Sequence, residues 1–465
     1  MKKISQLFVL VILSSFFIQG YAQNNGSISD KMLDEFRKTL EKENITALQN
    51  AISNNSINKL AKNQKNAGKV DHYFSHKVKT SGITNQKSSG RCWLFTGLNV
   101  FRPVVMNKYN LSKFEFSEAY SFFYDQLEKS NLFLEAIIAT ADKNLDDKKV
   151  EWLIKHPIND GGQWTTFSDN IAKYGLVPMS AMPETHSSEN TRYMSKFISK
   201  KLKEDALKLR EMHKNSKSAE SIQTAKKEML TEIYKLLAIN LGEPPQEFTW
   251  RYKDKNGKLS IAKKYTPKEF YKEAVGVELS QYVMFMNDPT RKYHKLYNVE
   301  LDRSIQEGTN WNYINLPTNE IKEFAKQSII NDNAMYFSCD VGKFLDRNAG
   351  TLDINNYDYN SLFGVNFGMN KKQRIQTFES GSSHGMALIG VDIDEKGNTS
   401  KWLLENSWGA SAGHNGYLAM TDEWFDEYMF RVVIKKEFVS KKILKILEQK
   451  AIMLPPWDPM YNYDK

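Results

Sequence analysis

The sequence predicts an α+β fold, with helices first and strands later. Helical apolar spacing dominates up to residue 241, and short apolar runs bounded by Gly, Asp and Asn take over from 332. The two patterns do not alternate, as a doubly wound sheet would require. Residues 28–65 are polar, with Met32, Leu33, Phe36 and Leu40 at helical spacing, and read as an arm or packing helix. Residues 92–101 read as a buried helix, because Trp93, Leu94, Phe95, Leu98 and Phe101 leave little polar face; Pro103 should end or kink it. An aromatic helix is expected over 117–138. Residues 190–241 read as a pair of amphipathic helices. The first carries Ile198, Leu202, Leu209 and Met212, and the second Ile222, Met229, Ile233 and Leu237. His213–Ser218 supplies the turn, and Gly242, Pro244 and Pro245 the stop. Strands are expected at Ala334–Phe337, Met386–Val391, Lys401–Leu404, Gly416–Met420 and Phe430–Ile434.

Composition narrows the function classes. With 41% hydrophobic and 26% charged residues in 465, the chain can bury a core and is not a disordered polymer. Lys2 and Lys3, the apolar run from Leu7 to Ile18 and the sequence Gly20-Tyr21-Ala22 form the three parts of a secretory signal cut after Ala22. An exported protein, periplasmic or secreted, is therefore expected. The apolar run is too short to span a bilayer, and no other long one follows, so no membrane partner is expected. The net charge of +9 is scattered among acids, which reads as a solvated surface. A basic patch assembled in three dimensions would give weak nucleic-acid binding as the alternative function. His72 and His76 stand four apart without the Glu of a zinc-hydrolase helix, so no metal and no cofactor are expected.

The segment Gln86-Lys-Ser-Ser-Gly-Arg-Cys92-Trp93 carries the chemistry. A thiol attacks carbonyls as thiolate, and a helix start favours that form through unpaired backbone N–H groups. A lone Cys is usually a small apolar residue; the flanking Gln, Gly and Trp argue for a nucleophile and against a disulfide to Cys339. Gly90 allows close approach of the substrate backbone. The side-chain NH2 of Gln86 and the Cys92 N–H would form an oxyanion hole. His384, at the head of a strand, is the candidate base. Asn406, just past the next strand, would fix its tautomer, and Trp408 would shield that hydrogen bond. The turn Asp394–Asn398 joins the two strands.

Gln-x-x-x-Gly-x-Cys-Trp, then His-Gly, then Asn-Ser-Trp-Gly, in that order, is similar to the papain family of cysteine peptidases. Cys92 and His384 lie about 290 residues apart, against about 130–150 in papain-like enzymes. Large insertions therefore sit inside the catalytic core. The strings Thr84–Trp93, Asn159-Asp-Gly-Gly-Gln-Trp164, Phe248-Thr-Trp250, Asn287-Asp-Pro289, Cys339-Asp-Val-Gly342, Glu405–Gly409, Met420–Phe425 and Trp457-Asp-Pro-Met460 resemble the bleomycin hydrolase and aminopeptidase C family.

That resemblance implies a papain-like fold: a helical domain and an antiparallel, barrel-like β domain with large helical insertions. The expected divisions are an arm at 23–80, a helical catalytic half at 81–190 and a helical insertion at 191–330. A β-rich half at 331–435 and a C-terminal arm at 436–465 complete the chain. The resemblance implies a Cys92–His384–Asn406 triad, Gln86 in the oxyanion hole, and Gly161, Gly162 and Trp408 against the substrate. It also implies a homohexamer and a C-terminal carboxylate, here on Lys465, that meets the free amine of a peptide substrate and makes the enzyme an aminopeptidase. Two features depart from the family: the bulky ending Tyr461–Lys465 and the export signal. The competing expectation is a nucleic-acid-binding or scaffold hexamer with only secondary peptidase activity.

Overall fold

The computed structural model describes residues 26–43 and 45–460, so the signal at 1–22 and the ending Tyr461–Lys465 lie outside the described residues. Two compact units divide between Lys62 and Asn63. In the first, helices span Asp30–Glu43, Thr46–Asn54 and Ile57–Ala61, with Met32, Leu33, Phe36 and Leu40 exposed along the first helix. Residues 63–80 belong to the second unit: Asn66 Nδ2 donates to Asp353 Oδ2 at 2.7 Å, and the strand His76–Lys77 pairs with Val391 and Gly390.

The second unit is built on one mixed sheet of twelve strands. From one edge its path runs through Ile452–Leu454, Lys295–Val299, Asn312–Asn315, Tyr282–Met286, Met429–Lys435 and Met335–Cys339. It continues through His384–Ile393, Thr399–Glu405, Tyr417–Thr421 and Thr351–Leu352 to Leu345–Asp346, with His76–Lys77 as a side branch on His384–Ile393. Most pairs are antiparallel and three are parallel, so the β half expected as antiparallel and barrel-like is part of one mixed sheet. The stretch 191–330, expected as a helical insertion, carries strands beside its helices. Tyr282–Met286, Lys295–Val299 and Asn312–Asn315 are strands of the main sheet, and their runs were too short and too polar-flanked to separate from loop by periodicity.

Both sheet faces are covered. Along His384–Ile393, Ala387 and Ile389 join the apolar cluster under the helices, while Met386 and Leu388 join the cluster on the opposite face. Side chains alternate between faces, so a strand buried on both sides reads as the unbroken apolar run seen at 386–391.

The helix that begins at Cys92 runs to Lys108, through Pro103 rather than ending there. Proline forfeits one bond, to the Asn99 carbonyl, while buried Val105 and Met106 continue the apolar face beyond it. Glu118–Ala139 forms the aromatic helix, with the Ser117 hydroxyl accepting from the Tyr120 N–H at 3.1 Å. The helical pair spans Arg192–Lys214 and Ala219–Leu241. Ser218 caps the second helix, and Gly242 ends it at φ 85°, a conformation that favours glycine. Lys226 of the pair bonds Asn131 Oδ1 at 3.1 Å and pairs with Glu135, both on the aromatic helix. No helix among the described residues is long and apolar enough to cross a membrane.

Candidate active site

Cys92 is the first residue of its helix and is half-buried. Arg91, immediately before it, is locked by a two-point pair to Glu184: Nη1 to Oε1 at 3.1 Å and Nη2 to Oε2 at 2.7 Å. Glu184 also accepts from Ser188 Oγ at 2.6 Å. This buried fork fixes the point at which the helix starts. The backbone N–H groups of Gly385, Trp93 and Cys92 favour the thiolate, as does the Arg431 charge, but burial outweighs them and pushes the thiol up. The helix start thus favours the thiolate as expected, and loss of water around the sulfur opposes it.

His384 opens its strand and pairs across it with Cys339. Its neighbour Gly385 presents the N–H that meets the Cys92 sulfur, which brings the two candidate residues to one place. A Cβ on Gly385 would lie 3.0 Å from Thr96 Oγ1 and 3.5 Å from Trp93 Cα, so glycine lets the strand seat against the helix start. His384 Nε2 lies 2.8 Å from Asn406 Oδ1. Trp408 stacks on the imidazole, with ring centroids 4.8 Å apart. Burial drives the His384 pKa down to about 4, opposed by the Asn406 bond and assisted by the nearby Arg347 charge. Cys92 and Cys339 are both free thiols. Cys339 is buried, its thiol pushed well above the ordinary value by desolvation.

Gln86 is buried against Ser407, next to Asn406. Its Oε1 accepts from Ser407 Oγ at 2.7 Å, and its Nε2 donates to Ser89 O at 2.8 Å. A primary amide has two N–H donors, and the bond to Ser89 engages one of them. Backbone bonds fasten this segment to the Asn406 loop: Gln86 N–H to Ser407 O at 2.8 Å and Gly409 N–H to Thr84 O at 3.0 Å.

Asn159–Gln163 runs beside the Cys92 helix. Trp93 Nε1 donates to Asp160 O at 2.7 Å, and the Asp160 carboxylate accepts from Gly90 N–H at 3.3 Å. A Cβ on Gly162 would collide with the Trp93 ring at 2.7 Å, so this glycine is required by packing. The carbonyl of exposed Gly161 is taken by Lys129. Lys465 lies outside the described residues. His72 and His76 do not form a pair of ligands: His72 Nε2 bonds Ala349 O at 3.0 Å, and His76 Nδ1 bonds Ser75 Oγ at 3.1 Å.

Sequence reasoning missed Ser407, Asp160 and the buried pair Arg102–Glu405, which each hold a candidate residue from behind. Ser407 and Asp160 sit inside motifs already noticed, Asn-Ser-Trp-Gly and Asn-Asp-Gly-Gly. A polar residue next to a candidate was the available signal.

Comparison with known proteins places the chain in a family. The model of the Peptidase C1-like family matches residues 27–461. The chain is 38% identical to aminopeptidase C of Streptococcus thermophilus over 416 residues, covering 89% of this chain and 94% of that protein. It is 40% identical to bleomycin hydrolase of Homo sapiens over 403 residues, covering 84% and 89%. The crystal structure of pepw from Lactobacillus rhamnosis HN001 superimposes with a TM-score of 0.92 at 38% identity, covering 94% of this chain and 99% of that one. The order of motifs, the mixed sheet with its helical half and these matches lead to one conclusion: the chain belongs to the Peptidase C1-like family and is a cysteine-type aminopeptidase with the papain-like fold.

Proposed function

We propose that this enzyme is exported and removes N-terminal residues from peptides by covalent catalysis at Cys92, with His384 as proton carrier and Asn406 as its orienting partner. The observation that carries the reading is the 2.8 Å bond from His384 Nε2 to Asn406 Oδ1, on the strand whose Gly385 N–H meets the Cys92 sulfur.

Burial disfavours both charged forms when each group is taken alone. As sulfur attacks the first peptide carbonyl, its proton passes to His384. The carbonyl oxygen becomes an oxyanion facing the Cys92 N–H and the second Gln86 N–H. Collapse breaks the C–N bond, and the imidazolium returns the proton to the departing amine. Water, deprotonated by His384, then attacks the thioester; its proton returns to sulfur and the amino acid leaves. Asn406 keeps the imidazole in one tautomer throughout, and Trp408 covers their bond.

Mass spectrometry of products from a peptide library tests this reading. Stepwise loss of N-terminal residues by wild type, absent from the variant C92S, supports it; internal cleavage or full activity in that variant contradicts it. A homohexamer with the active sites facing an internal channel is part of the proposal. Light scattering should return six times the mass of the mature chain, and N-terminal sequencing of exported material should begin at Gln23.

A further inference from the structure

Arg347 stands between the strands Leu345–Asp346 and Thr351–Leu352, which pair with each other. Its guanidinium carbon lies 4.8 Å from the centre of the Trp408 ring, whose indole in turn stacks on His384 at 4.8 Å. The arginine is exposed, and among the described residues no carboxylate pairs with it. Its loop is held in shape. Asp346 Oδ1 accepts from the Asn348 and Ala349 N–H groups at 3.1 Å each, and Gly350 N–H donates to Asp346 O at 2.9 Å. The Ala349 carbonyl is bonded to His72, whose ring stacks on His414 at 3.9 Å. The exposed cation is thus seated on the same indole that stacks on the imidazole.

The proton held by His384 must reach the departing amine, so the departing residue passes over the imidazole and the Trp408 ring beside it. We propose that Arg347 recognises a carboxylate on that departing product and so sets specificity for the residue after the cleaved bond. The carboxylate is the free C-terminus when the substrate is a dipeptide, or the side chain when the next residue is Asp or Glu. A planar guanidinium resting on an aromatic face offers two parallel donors at its edge, which fit a carboxylate oxygen pair. The inference rests on His384 being the proton donor.

Two peptide pairs separate the sources of the carboxylate. Ala-Ala against Ala-Ala amide tests the C-terminus, and Ala-Glu-Ala amide against Ala-Gln-Ala amide tests the side chain. Wild type should favour the carboxylate member of at least one pair by roughly 5- to 10-fold in kcat/KM, the range of a partly exposed charge-assisted contact. That ratio should fall to about 1 in R347Q and invert in R347E, and R347K should keep part of it. Because both peptides meet the same enzyme, any change in His384 titration cancels in the ratio. No preference in wild type, or an unchanged ratio in R347Q, overturns the inference. Turnover of the uncharged peptides by wild type, abolished in C92S, is read independently and tests the underlying site.

Discussion

Arg102 and Glu405 form a fully buried ion pair, Nη2 to Oε1 at 2.5 Å, that ties the Cys92 helix to the strand ending one residue before Asn406. Cys92 and Asn406 are thereby set by the same bond across the two halves of the core.

Removing one partner leaves a buried charge without compensation, which typically costs about 3–5 kcal/mol, whereas replacing both with apolar residues is often neutral. R102M should lose stability of about that size and lower kcat, since Asn406 loses its anchor. R102M/E405L should recover most of the stability. Urea unfolding checks both; equal stability of R102M and wild type would count against the anchor.

The His384 pKa makes stability depend on pH. The unfolded chain takes up this proton near 6.5 and the folded chain only near 4. Between those values the unfolded state binds more protons, so stability is full above 6.5 and is lost as pH falls through 4. The contribution is about 3 kcal/mol. Unfolding measured from pH 7 to 4 should show this slope in wild type and a shallower one in H384Q. The acid limb of kcat/KM should also lie well below 6.5, because it reports the free enzyme's base.

Gln86 is held at both ends of its amide, by Ser407 and by the Ser89 carbonyl. Q86A should lower kcat by about 10²–10³ with little change in KM, the signature of a donor that acts on the oxyanion. S407A, which releases the amide oxygen, should cost less, about 10-fold on the same scale. A pure KM effect in Q86A would place the residue in substrate binding instead.

Asn406 accepts from the imidazole and also from the Ser407 N–H at 2.8 Å. N406A should reduce kcat on the order of 10²-fold, by freeing the tautomer, while thermal unfolding stays close to wild type. Unchanged kcat would remove Asn406 from the site.

The helices around Cys92, Glu118 and Arg192 were legible because long apolar periodicity survives tertiary packing, and the strands after 332 because Gly and Asn punctuate them. The strands at 282–315 were not legible. They are short, and their burial comes from neighbours as distant in sequence as Met429–Lys435. Cys92, His384 and Asn406 could be picked out because each stands at the end of an element with diagnostic neighbours. The burial of the Cys92 thiol could not be read, since it depends on the distant Gly385 strand seating against the helix start. Nothing in the sequence singled out Arg102 or Arg347, and Glu405 stood there only within the string Glu405–Gly409; only the fold makes Arg102 and Glu405 a buried pair and sets Arg347 over Trp408.

The most direct measurement is to inactivate the enzyme with a limiting amount of a peptidyl electrophile and locate the adduct by peptide mapping. The expected result is one adduct per chain, on Cys92, formed in proportion to the activity lost and absent from H384A. An adduct on Cys339, or complete alkylation of Cys92 with activity retained, would contradict catalysis by this thiol.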